Sequence, residues 1–198
     1  MVQGENVTTH GSKYWGSLAS GVLPFSESSC RVLLQKRSKY VNQGDTWGIF
    51  GGAVEMNGHI SRPEDYNELN LPANRQKKRE ILKENAKKEL REESGYNGKI
   101  TLKPIAVFKD ITEPSSPFEY DNYIGMVPEE FSPHPESQHS WEHGTGKWIS
   151  IPELLQFEQR MQGERLHPAF KQTLSDPKVQ KKLIKMQQQC QKSLNENY

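Results

Sequence analysis

Lys88-Glu89-Leu90-Arg91-Glu92-Glu93-Ser94-Gly95-Tyr96 is the stretch whose reading decides the fold of this chain. In a helix, residues three and four apart share a face, so Glu89, Glu92 and Glu93 converge within about one 5.4 Å turn. Three carboxylates that close together call for a cation. Hard oxygen donors of this kind suit Mg²⁺ or Mn²⁺ acting on a substrate phosphate. Upstream lies Trp47-Gly48-Ile49-Phe50-Gly51-Gly52-Ala53-Val54-Glu55, a short apolar strand running into a glycine turn that a side chain would obstruct. Charged residues on a helix are usually a solvated face, with i,i+4 pairs worth about 0.3–0.5 kcal/mol each. The glycine turn on one side and Gly95 on the other shift the reading from surface to site.

Taken together, the two stretches resemble the Nudix hydrolase family. Its signature reads Gly, five residues, Glu, seven residues, then Arg-Glu-aliphatic-x-Glu-Glu-x-Gly-aliphatic. Here Lys88 replaces the arginine and Tyr96 the last aliphatic. Six positions after Gly52, where the family has glutamate, stands Gly58. An insertion of roughly residues 56–79, from Met56 to Arg79, between turn and helix would leave Glu80 in the family's glutamate position. The resemblance covers roughly residues 14–160 and implies a Nudix-like α/β/α sandwich, a mixed sheet covered by helices on both sides.

The resemblance further implies hydrolysis of a nucleoside diphosphate linked to another group, by water attack at phosphorus with Mg²⁺, or Mn²⁺ in its place. Matching positions make Glu89, Glu92 and Glu93 the metal ligands, with the Gly51 carbonyl as a backbone ligand and Glu92 and Glu93 in catalysis. Lys88 would orient the cluster through an ion pair to Glu92, with a point charge where arginine offers a planar fork. Glu142 is the candidate general base outside the helix. Arg37 is a candidate phosphate contact, Gly52 a place where substrate can approach backbone, and Trp47 and Tyr123 candidates for base stacking. Aromatics at strand positions are more often core. The expected partner is a nucleoside diphosphate-linked small molecule; capped RNA is within the family's range, but nothing in the chain indicates it. A second function class is a non-catalytic nucleotide- or nucleotide-sugar-sensing module. Retention of three clustered carboxylates favours the hydrolase, because a binding module has no need of so much negative charge in one place.

The 198 residues suffice for one domain with appendages. A hydrophobic fraction of 33% and mean hydropathy of -0.87 predict solvated extensions around a small core. The net charge of +1 excludes a global field for nucleic acid or anionic membrane, so phosphate affinity has to be local. Cys30 and Cys190 show no metal or redox spacing and read as free thiols in a reducing compartment. No leader-like segment or apolar run of about 20 residues is seen, which predicts a cytoplasmic protein without membrane contact.

The expected organisation is a loose tail over 1–11, a hydrolase domain over 12–175 and an amphipathic helix over 176–198. Strands are expected near 14–23, 30–37, 47–50, 99–111, 118–127 and 147–151, with the central helix from Asn74 to Gly95 on a Leu82, Ala86, Leu90 stripe. Within the insertion, His59 to Asn74 carries Pro63 and Pro72 without periodicity and reads as a loop. Its Arg62, Arg75, Lys77, Lys78 and Arg79 make it either a lid with phosphate contacts or an idle surface loop. His134, His139 and His143 read as ordinary loop histidines rather than a zinc site. The final helix, striped by Val179, Leu183, Met186, Cys190 and Leu194, is expected on its own domain, with homodimerisation through it left open.

Overall fold

The computed structural model describes residues 14–134 and 143–196. Its elements begin with β1 (Leu18–Ser26), β2 (Arg31–Arg37), β3 (Thr46–Gly48), β4 (Phe50–Ala53), β5 (Glu55–Met56), β6 (His59–Ile60), α1 (Pro63–Leu69) and α2 (Arg75–Ser94). They continue with β7 (Thr101–Asp110), β8 (Phe118–Val127), β9 (His143–Ser150), α3 (Ile151–Leu155), α4 (Phe157–Arg160), β10 (Arg165–Leu166), α5 (Pro168–Ser175) and α6 (Pro177–Glu196). The main sheet runs β10-β3-β2-β1-β8-β7, with β4 also pairing β1 and β9 also pairing β2. It is mixed, because β1 and β8 are parallel from Leu18 opposite Glu119 to Ser26 opposite Val127, whereas β2 and β4 meet β1 antiparallel.

β1 is buried along its whole length, so its apolar and small residues run together instead of alternating with polar ones. Leu18 and Val22 meet Leu82, Ala86 and Leu90 of α2 in one core, while Leu23 and Phe25 meet α3, α5 and α6 residues in the other. Helices therefore cover both sheet faces, as the sandwich requires.

α2 has no glycine or proline inside, and its Lys, Glu, Gln and Arg residues lose little side-chain freedom in a helix. Each fully buried leucine of its stripe stabilises the packing by about 1.5–3 kcal/mol. The helix ends where Gly95 takes a φ of +70° and its N–H donates to the Arg91 carbonyl at 2.7 Å. Its seat on the sheet is fixed by buried polar bonds. Ser20 Oγ donates to the Leu82 carbonyl (2.8 Å), and Asn85 Nδ2 donates to Ser20 Oγ (3.0 Å) and the Gly52 carbonyl (3.1 Å).

Two sequence expectations change here. The His59–Asn74 stretch is folded, not a loop. β5 and β6 form a tight hairpin, Pro63 opens α1 from its first turn, and the Asp65 carboxylate accepts from the Arg62 N–H at 2.8 Å. Leu69 of α1 is fully buried in the α2 core. Lys77 pairs with Glu68 (3.5 Å), and Lys78 joins Lys109 on the buried Glu119 carboxylate at 2.5 and 2.9 Å. Beside it, burial and the Glu119 charge push Asp121 up to about 6. Lys78 thus ties the insertion to the buried end of β8, while the Lys77 pair lies on the surface.

The second change concerns the cysteines. Cys30, at the β1–β2 turn, and Cys190, on α6, are joined in a disulfide across a sequence separation of 160, which overturns their reading as free thiols. No spacing rule could pair them, since the fold alone brings them together. α6 lays Val179, Leu183 and Gln187 against its own domain, with Met186 and Leu194 partly buried beside them, so its apolar stripe is consumed within the chain. Among the described residues, no helix is long and apolar enough to cross a membrane.

Candidate active site

Glu93 lies at the C-terminal end of α2, where the helix crosses the Gly51-Gly52 turn of β4. It is only 6% exposed, and its Oε2 accepts from Gln35 Nε2 at 2.8 Å and from the Gly51 N–H at 2.9 Å. Burial above all, then the Glu89 charge, raise its pKa well above the carboxylate range, partly offset by Gln35, Gly51 and Arg37. One turn back, the Glu89 carboxylate rests against Gly52. A Cβ added there would stand 2.7–3.0 Å from its carboxyl atoms, so any larger residue would push the Glu89 carboxylate from this place.

Glu92 has a partner of its own. It faces Lys88 at 3.6 Å, and Lys88 also binds Glu55 at 3.0 Å. Burial works against the Lys88 ammonium, but Glu55, Glu92 and Glu89 outweigh it and raise its pKa. The ion pair expected between Lys88 and Glu92 is present, with Glu55 as a nearer partner. Glu80 is exposed and accepts from Gln76 at 2.9 Å. It precedes Glu89 by nine residues, about 13.5 Å along a helix, and so lies away from the cluster. The acidic residue that the turn brings to Lys88 is Glu55.

The three helix carboxylates do not close around one point. Among the described residues, no three His, Cys, Asp or Glu side chains are grouped to hold a metal ion. What the arrangement does offer fits the divalent cation that the resemblance implies. Two carboxylates share one helix face, one of them buried with its charge opposed by the other, beside backbone that only glycine allows to come so close. Such hard donors suit Mg²⁺ or Mn²⁺, which commonly keep several waters and substrate phosphates in their shell. Glu89 and Glu93 would hold the ion.

Other expectations divide. Arg37 stands at the end of β2, and its charge bears on Glu93, on the Tyr120 phenol and on His167. Trp47 is 5% exposed, packs on the Phe157 ring and donates from Nε1 to Glu164 at 2.7 Å. Tyr123 is 2% exposed on the α2 face of β8, with its hydroxyl donating to Asp121 at 3.1 Å. Both are core, because their strand positions turn them inward. Glu142 and His139 lie outside the described residues. His134 bonds the Ser132 carbonyl at 2.7 Å, a loop contact.

Three residues at the site went unread in the sequence. Gln35 is a buried polar residue amid the apolar run of β2, which was its one signal. Tyr120 places its hydroxyl over Gly21 and Gly51, and burial with the Glu93 and Glu89 charges pushes its pKa up. His167 precedes α5, where burial and Arg37 lower its pKa to about 4 and keep the imidazole neutral at neutral pH.

The family model described as NUDIX domain matches residues 17–170. A Nudix hydrolase from M. smegmatis, RenU, superposes with a TM-score of 0.57 at 18% identity, over 83% of this chain and 85% of its own. The NUDIX domain of Shewanella oneidensis NrtR, solved with ADP ribose, gives 0.52 at 14% identity over 92% and 99%. The E. coli dihydroneopterin triphosphate pyrophosphohydrolase gives 0.50 at 15% identity over 81% and 94%. The search of curated proteins found no match. With the family model covering most of the chain and the carboxylate helix behind its glycine turn, this chain belongs to the Nudix family of pyrophosphohydrolases.

Proposed function

We propose that this protein hydrolyses the pyrophosphate link of a nucleoside diphosphate derivative, with Mg²⁺ or Mn²⁺ bound at Glu89 and Glu93. The observation that carries the reading is the buried Glu93 carboxylate, held by Gln35 and the Gly51 N–H beside Glu89. A buried anion beside a second anion is costly as mere structure and fits a cationic ligand. When bound, the ion would offset charge on the phosphate oxygens and activate water. Glu89 and Glu93 hold their carboxylates in place, Lys88 draws Glu92 and Glu55 together, and Arg37 brings positive charge toward an incoming phosphate. A nucleoside diphosphate ligand is supported by the NrtR domain solved with ADP ribose, and anhydride cleavage by the E. coli pyrophosphohydrolase.

The test is release of phosphate or nucleotide from a panel of nucleoside diphosphate derivatives, with Mg²⁺ or Mn²⁺ and again after chelation. We expect release from one substrate class, reduced to background by chelator. A folded protein that cleaves no member with either metal would instead be the sensing module. A cytoplasmic placement is opposed by the disulfide, since such bonds persist mainly in oxidising compartments.

A further inference from the structure

Gln35 is the residue of this site that core packing does not account for. Along β2, Val32 and Leu34 enter one core and Leu33 the other. An apolar side chain at position 35 would extend the Leu33 core, yet an amide stands there, 3% exposed. The sheet makes room for it. Its partners on the two neighbouring strands are both glycine, Gly48 on β3 and Gly146 on β9, so neither puts a side chain beside it. The β2–β9 ladder then shifts register between Gln35 and Arg37, an irregularity of the kind that re-aims side chains next to active sites. Gln35 Nε2 reaches Glu93 Oε2 on α2 at 2.8 Å, across 58 residues of chain, and lies 3.5 Å from the Ile49 carbonyl. That carbonyl can only accept, which turns the amide nitrogen, and so a donor, toward Glu93.

We infer that Gln35 is a positioning residue for the cation: it fixes the rotation of the Glu93 carboxylate and so sets the affinity with which Glu89 and Glu93 hold Mg²⁺ or Mn²⁺. This rests on the function proposed above and adds to it a residue outside both the glycine turn and the helix. A carboxylate turns easily about its last bond unless something holds it. Here the Gly51 N–H arrives from β4 and the Gln35 amide from β2, both on the same oxygen, and two bonds from two strands leave one orientation. Without Gln35 a single bond remains and the carboxylate pivots on it. Bonds of this kind, made to a ligand rather than to the metal, orient the ligand and tune its hold.

Gln35→Met keeps a long unbranched side chain and removes the donor. Wild type and variant are compared in Tm without metal, in Mn²⁺ affinity read from the electron paramagnetic resonance of free Mn²⁺, and in the metal concentration that half-saturates turnover of whichever panel substrate the wild type cleaves. Only the Mn²⁺ binding that Glu93→Gln removes is counted. We expect Gln35→Met to bind Mn²⁺ about 10- to 100-fold more weakly, and to regain most of its kcat when metal is raised to saturation. A role in packing alone predicts the reverse, a lower Tm with Mn²⁺ affinity and metal dependence unchanged, and that result overturns the assignment. Gln35→Leu repeats the measurement should the methionine variant not fold; if neither folds, Gln35 serves the fold rather than the cation and the assignment is overturned. If the wild type cleaves no substrate, the hydrolase reading fails on its own, and Mn²⁺ affinity still decides Gln35. A wild type that binds no Mn²⁺ through Glu93 leaves nothing to position and overturns it.

Discussion

Glu93→Gln is expected to lower kcat/KM by about 10²- to 10⁴-fold with the fold intact. Glutamine has nearly the shape of glutamate, and its amide oxygen can still accept from Gln35 Nε2 and the Gly51 N–H, the two bonds that Glu93 Oε2 receives at 2.8 and 2.9 Å. What is lost is the charge. That charge is already disfavoured by burial and by Glu89, so its removal does not destabilise the apo protein, and Tm should hold or rise slightly. Activity should collapse for the same reason, because the buried one of the two carboxylates that would hold the cation has lost its charge. Glu80→Gln is the control. Its side chain is exposed and bonded within its own helix to Gln76, so this change should leave kcat/KM within about twofold. Steady-state kinetics beside thermal unfolding decide the matter: a Glu93→Gln enzyme retaining most of its activity would remove the metal role from this residue.

Local spacing carried much of this site. Glu89 and Glu93 share a helix face by arithmetic alone, and the Leu82, Ala86, Leu90 stripe, the Gly95 stop and the β8 span were all legible in the same way. What failed depended on distant partners or on which face a strand residue takes. Glu92 sits one position from Glu93 and pairs with Lys88 at 3.6 Å, while the Lys88 charge is also felt by Glu55 and Glu89, contacts that helix spacing alone does not specify. Period-two reasoning marks Trp47 and Tyr123 as strand aromatics without saying which side is core, and both turned inward. Tyr120, on the opposite face of β8 from Tyr123, is the aromatic that reaches the site. Glu80 was placed by counting along the chain across an insertion. The structure folds that insertion into a hairpin and α1, leaving Glu55 beside Lys88.

Those failures share a cause with the missed disulfide, which is also the source of the largest expected change in stability. Reduction, or Cys190→Ser, should lower Tm by about 5–15 °C, corresponding to about 2–5 kcal/mol for a bridge closing so long a loop. The separation of 160 residues places the bond near the upper end of the loop-entropy effect. Its consequences should fall mainly on α6. That helix keeps Val179 and Leu183 in the core without the bridge, so it should remain docked at low temperature and come loose earlier on heating. The active-site carboxylates belong to α2, against the other face of the sheet, with Glu93 tied to Gln35 and Gly51 rather than to α6. Reduced protein assayed well below its Tm should therefore retain kcat/KM within about twofold, a separation of stability from activity that follows from the layers. Thermal unfolding with and without dithiothreitol, beside thiol titration of the unreduced protein, measures both parts. Two titratable thiols before reduction, or a Tm that reduction leaves unmoved, would refute the bridge as a stabilising bond. Loss of activity at low temperature would instead show that α6 supports the α2 face through the sheet, and that the two layers are coupled.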